Sequence, residues 1–207
     1  MIVLGAKGHA KDLLVVLNEA VKEPSTLIFF DDYTKPEELL FLDKYLIVHD
    51  LNDIDFKKNS HFVSAIGIPK LRRQVVEKFL KAGGVYQSVI SKHAILGSLD
   101  VKIGTGCNIM PFVFISNSVH IGEGCLINTS AHIHHDVTIG DYCDISPGAK
   151  ILGKVKIGNN CNIGAGAIIL PNIILGDNVT VGAGTLVLAD CLTENTIVGV
   201  PGKLKNK

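Results

Sequence analysis

From Ile103 onward, every sixth residue is a branched aliphatic. Twelve consecutive members of this series, Ile103 through Ile169, are isoleucine, and Leu175, Val181 and Val187 continue it. Four residues after each member stands another small or β-branched residue, and taking every third of these separates three columns. One holds Cys107, Cys125, Cys143 and Cys161. The next holds Val113, Ala131, Ala149 and Ala167, and the last Val119, Val137, Val155 and Ile173. A fixed period is the mark of a repeat architecture. A period of 6 nested in one of 18 means that three short extended segments close one turn of a coil, and that coils stack. The isoleucine and the residue four later point inward, so stacking buries ladders of like side chains. Neighbouring coils then pair as parallel strands about 4.8 Å apart. The expected solenoid is a triangular parallel β-helix of roughly five coils. Glycine follows the series at 104, 122, 140, 158, 164, 176 and 182, where the backbone needs a positive φ or a close approach. Asp, Asn and further Gly supply the bends.

A chain of 207 residues has room for this solenoid and one small domain. With 20 acidic and 20 basic residues, a nucleic-acid or membrane-surface partner held by bulk charge is not expected. There is no long apolar span, and residues 1–5 are too short for a signal peptide, so the expected location is the cytoplasm, without membrane insertion. The cysteines occupy inward repeat positions, where a reduced thiol packs as a small apolar group. Without a CxxC pair, neither a disulfide framework nor a zinc site is expected.

Residues 1 to about 90 lack the hexad. An apolar run, Met1–Leu4, leads into Gly5-Ala6-Lys7-Gly8-His9-Ala10-Lys11 and then an amphipathic stretch, Asp12–Val21, with apolar residues at helical spacing. Leu27–Phe30 ends in Asp31-Asp32, and Phe62–Ile66 ends in Gly67-Ile68-Pro69. Leu71–Ala82 reads as a helix. Strand, glycine turn, helix, strand is a βαβ pattern, which places a ligand crevice at the strand C-termini. Gly5 and Gly8 do not make a dinucleotide fingerprint. The turn either offers free N–H groups to a phosphate or is a tight βα turn that binds nothing. Asp31 and Asp32 are either hydrogen-bond acceptors for a ribose or base edge, or solvated loop carboxylates.

The chemistry is expected in Asn128–Gly140. Ile133 and Val137 point inward, so His134, His135 and Asp136 fall at the bend and face outward. A corner histidine followed by a carboxylate suits a general base whose charged form the carboxylate stabilises. Three histidines within four residues, with His132, also raise a metal. Their side chains leave the bend in different directions, and no metal is expected.

With these motifs the whole chain resembles bacterial sugar O- and N-acetyltransferases, of the sialic-acid O-acetyltransferase and UDP-4-amino-sugar N-acetyltransferase types. The resemblance rests on Gly5–Lys11, Phe30-Asp31-Asp32, Ala65-Ile66-Gly67, Asn128–Gly140, Ser146–Ala149 and Val198–Lys203. It implies an α/β domain over residues 1–90, a small Rossmann-like βαβ sheet that binds the nucleotide sugar. It also implies a left-handed β-helix over 91–207 that carries the transferase activity. His135 becomes the general base with Asp136 as its partner. Acetyl-CoA lies in a groove between neighbouring solenoids of a homotrimer, with the Gly153 N–H near the thioester. The cofactor arm passes Ala183, and Asp144 and Ala165 lie along the same path. Lys7, Gly8, His9, Asp31, Asp32 and Gly67 fall to the donor sugar.

This chain departs from the family at three places. Lys7 replaces the usual small residue of the glycine turn. Asp144 stands where some amino-sugar enzymes carry a second histidine. Gly67-Ile68-Pro69 reads closer to the sialic-acid enzymes. The implied reaction is direct acetyl transfer to the 4-amino group of a UDP-linked 4-amino-4,6-dideoxy sugar, without a covalent acetyl-enzyme. The alternatives are O-acetylation of sialic acid or another sugar hydroxyl, and a non-catalytic trimeric scaffold that binds a nucleotide sugar.

Overall fold

The computed structural model describes residues 1–20, 26–33, 37 and 39–205. The chain divides into two compact units, Met1–Val89 and Ile90–Lys207.

The first unit is built on a six-stranded sheet. Its elements are β1 (Ile2–Leu4), α1 (Gly8–Ala20), β2 (Ile28–Phe30), β3 (Leu40–Phe41), β4 (Tyr45–Val48), β5 (His61–Ser64), α2 (Pro69–Lys81) and β6 (Val85–Tyr86). The strand order is β3-β4-β2-β1-β5-β6. All pairs are parallel except the β3–β4 hairpin. Each helix begins earlier than the apolar periodicity indicates: α1 at Gly8 and α2 at Pro69. Proline suits a first helical turn, where its missing N–H has no partner to lose. Val21, the last residue of the expected amphipathic stretch, lies outside the described residues.

Alternation along β2 sends its two phenylalanines to opposite faces of the sheet. Phe29 packs on Phe41 and Tyr45, with ring centroids 4.5 and 5.5 Å away. Phe30 meets Phe79 of α2 at 4.8 Å, edge to face, and Phe79 in turn reaches Phe62. Leu13, Leu14, Val16 and Leu17 bury the inner side of α1. The β3–β4 hairpin escapes a sequence reading because its turn, Leu42-Asp43, has positive φ at both residues without a glycine or asparagine to announce it.

The second unit is the solenoid. From Lys102–Ile103 to Ile168–Ile169, each strand pairs in parallel with the strand 18 residues later, as Asn108–Ile109 with Leu126–Ile127, Phe114–Ile115 with His132–Ile133, and His120–Ile121 with Thr138–Ile139. The result is three sheets, one for each side of a triangular coil. The isoleucine ladder from Ile109 to Ile169 is at most 4 % exposed, and the Cys, Ala and Val columns are buried with it. Burying one such aliphatic side chain is worth about 1.5–3 kcal/mol. The four repeat cysteines are reduced. Each donates its S–H to a corner carbonyl of the next coil, as Cys125 to Gly140 at 3.0 Å and Cys143 to Gly158 at 3.0 Å.

The corner glycines at 122, 140 and 158 do not have positive φ. They are glycine because the next coil passes too close: a methyl group at Gly140 would stand 2.6 Å from the side-chain oxygen of Asn159. Positive φ falls two residues later, at Gly124, Tyr142, Asn160 and Asn178 on that edge, and at Ser118, Asp136, Lys154 and Asn172 on another. After the last coil, Thr196–Val198 pairs in parallel with Thr180–Val181 and then antiparallel with Lys203–Leu204.

Candidate active site

The histidine coil begins with His132 on the strand His132–Ile133 and turns at His134, His135 and Asp136. Inward burial of Ile133 and Val137, both 0 % exposed, fixes which residues face out. Asp136 takes the left-handed conformation, φ 60°, which Asp and Asn adopt more readily than most residues. That turn brings its carboxylate to the imidazole beside it, with His135 Nδ1 to Asp136 Oδ2 at 2.8 Å. An ionised carboxylate only accepts, so it selects the tautomer with the proton on Nδ1. The lone pair then lies on Nε2, which is the form of a general base.

Neighbouring coils hold this corner in place. The Asp136 N–H donates to Asn117 O, and the Lys154 N–H donates to His135 O at 3.0 Å. The ring of His135 lies directly over Gly153, 18 residues on. A methyl group at Gly153 would stand 2.5 Å from Cε1 and 2.6 Å from Nε2. The carbonyl of Gly153 accepts from the Asn172 N–H. Its own N–H makes no hydrogen bond to the described residues.

The other two histidines take a different path. His132 and His134 stand beside Phe114, each with ring centroids 6.0 Å away. Desolvation lowers the pKa of His134, and the neighbouring His132 and His135 add to the shift. Of the three, only His135 pairs with a carboxylate. Among the described residues, no three His, Cys, Asp or Glu side chains converge as a metal site.

The residues expected at the cofactor do not share one edge. His135, Asp136 and Gly153 lie where the side holding His132–Ile133 turns into the side holding Thr138–Ile139. Ala165 and Ala183 are exposed at a different edge, between the sides holding Asn162–Ile163 and Ile168–Ile169. Ala183 is pressed against Gly164, whose Cα leaves no space for a methyl group. Asp144 is half-buried on the side that carries the cysteine column, paired between Leu126 and Asn162.

In the first unit, the acidic pair is engaged within the fold. The Asp31 carboxylate accepts the N–H of Ala6 at 3.1 Å and of Tyr33 at 2.9 Å, clamping the glycine turn to the end of β2. Asp32 is paired with Lys78 at 2.8 Å. Gly67 lies in a turn held by the fully buried Arg72, whose Nη1 donates to Ile66 O at 2.8 Å and Gly67 O at 2.7 Å. His9 is largely buried at the start of α1, with no partner for Nε2. Burial pulls its pKa down to about 4, with the Asp12 carboxylate opposing and Arg72 reinforcing the shift. Beside it opens a pocket of about 270 Å³, with Lys7, Gly8 and Lys11 on one wall and Leu40, Leu42 and Ile47 on the other. The sequence reading missed Lys11 and the hairpin wall. Lys7 and Lys11 are four residues apart, and that spacing was the available signal.

The repeats and the first unit are each similar to known proteins. Residues 118–153 and 154–189 match the bacterial transferase hexapeptide (six repeats) family, and residues 1–79 match the PglD N-terminal domain. Similar solved structures span nearly the whole chain. A histidine-to-asparagine mutant of perosamine N-acetyltransferase from Caulobacter crescentus, in complex with CoA and GDP-perosamine, is 28% identical. The match covers 100% of this chain and 96% of that one, at a TM-score of 0.90. WeeI from Acinetobacter baumannii AYE is 26% identical over 99% and 98% of the two chains, TM-score 0.91. The acetyltransferase domain of PglB from Neisseria gonorrhoeae FA1090 is 26% identical over 99% and 98%, TM-score 0.87. No curated protein matches the sequence. These matches mark the chain as an acyltransferase, with transferase hexapeptide repeats over residues 118–189 and a PglD-type domain over residues 1–79. Among the described residues, no helix is long and apolar enough to cross a membrane.

Proposed function

We propose that the protein transfers an acetyl group from acetyl-CoA to the 4-amino group of a nucleoside diphosphate-linked 4-amino-4,6-dideoxy sugar, a UDP sugar in the reading from resemblance. The observation that carries this is the His135–Asp136 pair at 2.8 Å, aimed over Gly153. The similarity to a transferase crystallised with CoA and GDP-perosamine supports it over nearly the full length.

In this reading the Nε2 of His135 takes the proton from the sugar amine as its nitrogen attacks the thioester carbonyl. Asp136 holds the imidazolium that results. The carbonyl oxygen becomes anionic, and the Gly153 N–H, unengaged within the described chain, is the donor that meets it. Collapse of the tetrahedral adduct expels the CoA thiolate, and His135 returns the proton to that sulfur. The N–C bond forms and the C–S bond breaks, with no acetyl-enzyme between them. The five cysteines are buried and play no part.

Of the residues proposed for acetyl-CoA, Gly153 lies at one edge of the solenoid and Ala165 and Ala183 at another. A single chain therefore offers half of a groove at each edge, and a second copy supplies the other half, as in a trimer whose grooves lie between subunits. Ala165 and Ala183 of one copy then face His135 and Gly153 of the next. The donor sugar is held by the first unit, at the glycine turn and the pocket beside it.

The test is thiol release from acetyl-CoA with UDP- and GDP-linked 4-amino-4,6-dideoxy sugars, alongside free and CMP-linked sialic acid. Release with a nucleoside diphosphate amino sugar supports the proposal. Release with sialic acid alone replaces it with O-acetylation. Release with none of these acceptors, and no binding of acetyl-CoA, favours the scaffold.

A further inference from the structure

We infer that Phe112 of one copy covers the C6 methyl group of the acceptor sugar at the His135 of the next copy, and so sets a preference for a 6-deoxy sugar. This rests on the amino-sugar reading above and on the shared groove proposed there.

Phe112 belongs to the edge that carries Ala165 and Ala183. Backbone hydrogen bonds stitch successive coils together along it. The Phe112 N–H donates to His93 O, Ser130 to Pro111, Gly148 to Thr129, Gly166 to Pro147 and Gly184 to Ala165. The donors Phe112, Ser130, Gly148, Gly166 and Gly184 form one column, and all are left-handed, with φ between 57° and 69°. Glycine takes that conformation at no steric cost, whereas a bulky side chain is rarely found in it. A Cβ added at Gly148, Gly166 or Gly184 would meet nothing within 4 Å, so the column faces open space. Phe112 is 65 % exposed there. Its ring stacks on His93, with centroids 5.9 Å apart and planes 28° from parallel. The turn does not ask for phenylalanine, and the core does not bury it. Strained residues of this kind cluster where ligands are held.

The period sets its level relative to the dyad. Ser130 precedes His135 in one coil, and Phe112 precedes Asn117, which stands one coil earlier in the His135 column. Phe112 is therefore one strand spacing, about 4.8 Å, before the level of His135. Gly153, Ala165 and Ala183 lie on the other side, in later coils. In the proposed groove, acetyl-CoA reaches His135 from those later coils, so the acceptor enters from the earlier ones. Rotation about an axis along the solenoid preserves these levels. It brings Phe112 of a neighbouring copy to the acceptor side of the dyad. A 4-amino-4,6-dideoxy sugar carries its C6 methyl on C5, next to the C4 that bears the reacting amine. An aromatic face suits that methyl and strips water from a hydroxyl in its place without returning a hydrogen bond.

The experiment compares kcat/KM for a nucleoside diphosphate-linked 4-amino-4,6-dideoxy sugar and for its 6-hydroxy counterpart, in the parent and in Phe112→Ser, with oligomer mass measured by light scattering. The parent should prefer the 6-deoxy sugar by about tenfold, the scale of one small apolar group in a matched pocket. Phe112→Ser should lose about tenfold on the 6-deoxy sugar alone and bring the two close to parity. Its mass and melting temperature should not fall, because Ser130 already holds the same conformation one coil on. Co-refolding Phe112→Ser with an excess of His135→Ala should restore the preference, since each intact His135 then faces a Phe112 on its neighbour. A parent that turns over both sugars equally would overturn the inference and leave acetyl transfer standing. So would a Phe112→Ser variant that keeps the preference, or one that dissociates, which would make Phe112 an assembly residue. A preference that stays lost in the mixture would overturn it too. No turnover of either amino sugar would remove the transfer reading and this inference with it.

Discussion

The imidazole of His135 rests on the Cα of Gly153, one coil further along, so closely that a methyl group there would stand 2.5 Å from its Cε1. The 18-residue period explains the contact, because every corner residue lies over the one 18 positions away. At this edge the stacked column runs Asn117, His135, Gly153. A larger residue in the third place would lift the ring off its seat and away from Asp136. The glycine is therefore a condition for the dyad, in addition to its proposed role as a donor.

Gly153→Ala tests that condition. His135 is exposed and its ring can swing away, so the fold should survive with a small change in melting temperature. The displaced base should cost about 100-fold in kcat, the scale of a misplacement of about 1 Å. Steady-state kinetics with a melting curve would check both. Unchanged kcat would mean that the ring position does not matter.

Asp136 carries two burdens that different substitutions separate. Asn can keep the φ of 60° but gives up the charge. Asp136→Asn should therefore melt like the parent and lose turnover. Asp136→Val must force a β-branched residue into the left-handed region, at a cost of about 1–3 kcal/mol. Denaturant unfolding of the two variants beside their kcat values checks the split. Equal stability losses would contradict it.

The pKa of His9, pulled down to about 4 by burial, makes stability depend on pH. Unfolded, the ring takes a proton near pH 6.5, while folded it stays neutral to about 4. The unfolded state binds the extra proton between these values. The contribution is thus whole above pH 6.5 and falls as pH drops toward 4, by about 3 kcal/mol in all. His9→Gln should flatten that part of the stability curve between pH 7 and 4.5. Parallel curves for parent and variant would show that His9 carries none of it.

The repeat cysteines should be inert. Burial raises the thiol pKa of Cys125, and all five cysteines are buried and reduced. A thiol reagent should find no reactive cysteine in the folded protein and all five in guanidinium. Rapid labelling of the native protein would contradict the packing of the column.

If the cofactor groove is shared between copies, two inactive variants should rescue each other. His135→Ala removes the base, and Ala183→Arg fills the proposed path of the cofactor arm at another edge. Mixed oligomers formed by co-refolding should regain activity that neither parent variant has. A mixture as inactive as its components would place the whole site within one chain.

Much of this was legible because the solenoid repeats its own rules. Isoleucine every six residues set the inward face, the period of 18 set the strand register, and together they put His135 at a corner. The glycines after the isoleucines were legible as special. Their reason, close passage of the next coil and not positive φ, depends on atoms 18 residues away. The first unit gave less. Asp31 and Asp32 stood out as carboxylates at a strand end, but only the packed turn makes Asp31 a clamp for Ala6 and Tyr33. The hairpin went unseen because Leu42 and Asp43 adopt a turn that such residues seldom signal. The pocket it walls therefore went unseen as well.

The most direct measurement of the central claim is single-turnover thiol release from acetyl-CoA with a nucleoside diphosphate-linked 4-amino-4,6-dideoxy sugar, for the parent and His135→Ala. The account predicts turnover by the parent and a loss of about 100- to 10,000-fold in the variant, the size of a general base removed. A His135→Ala protein that releases thiol at close to the parental rate would contradict it.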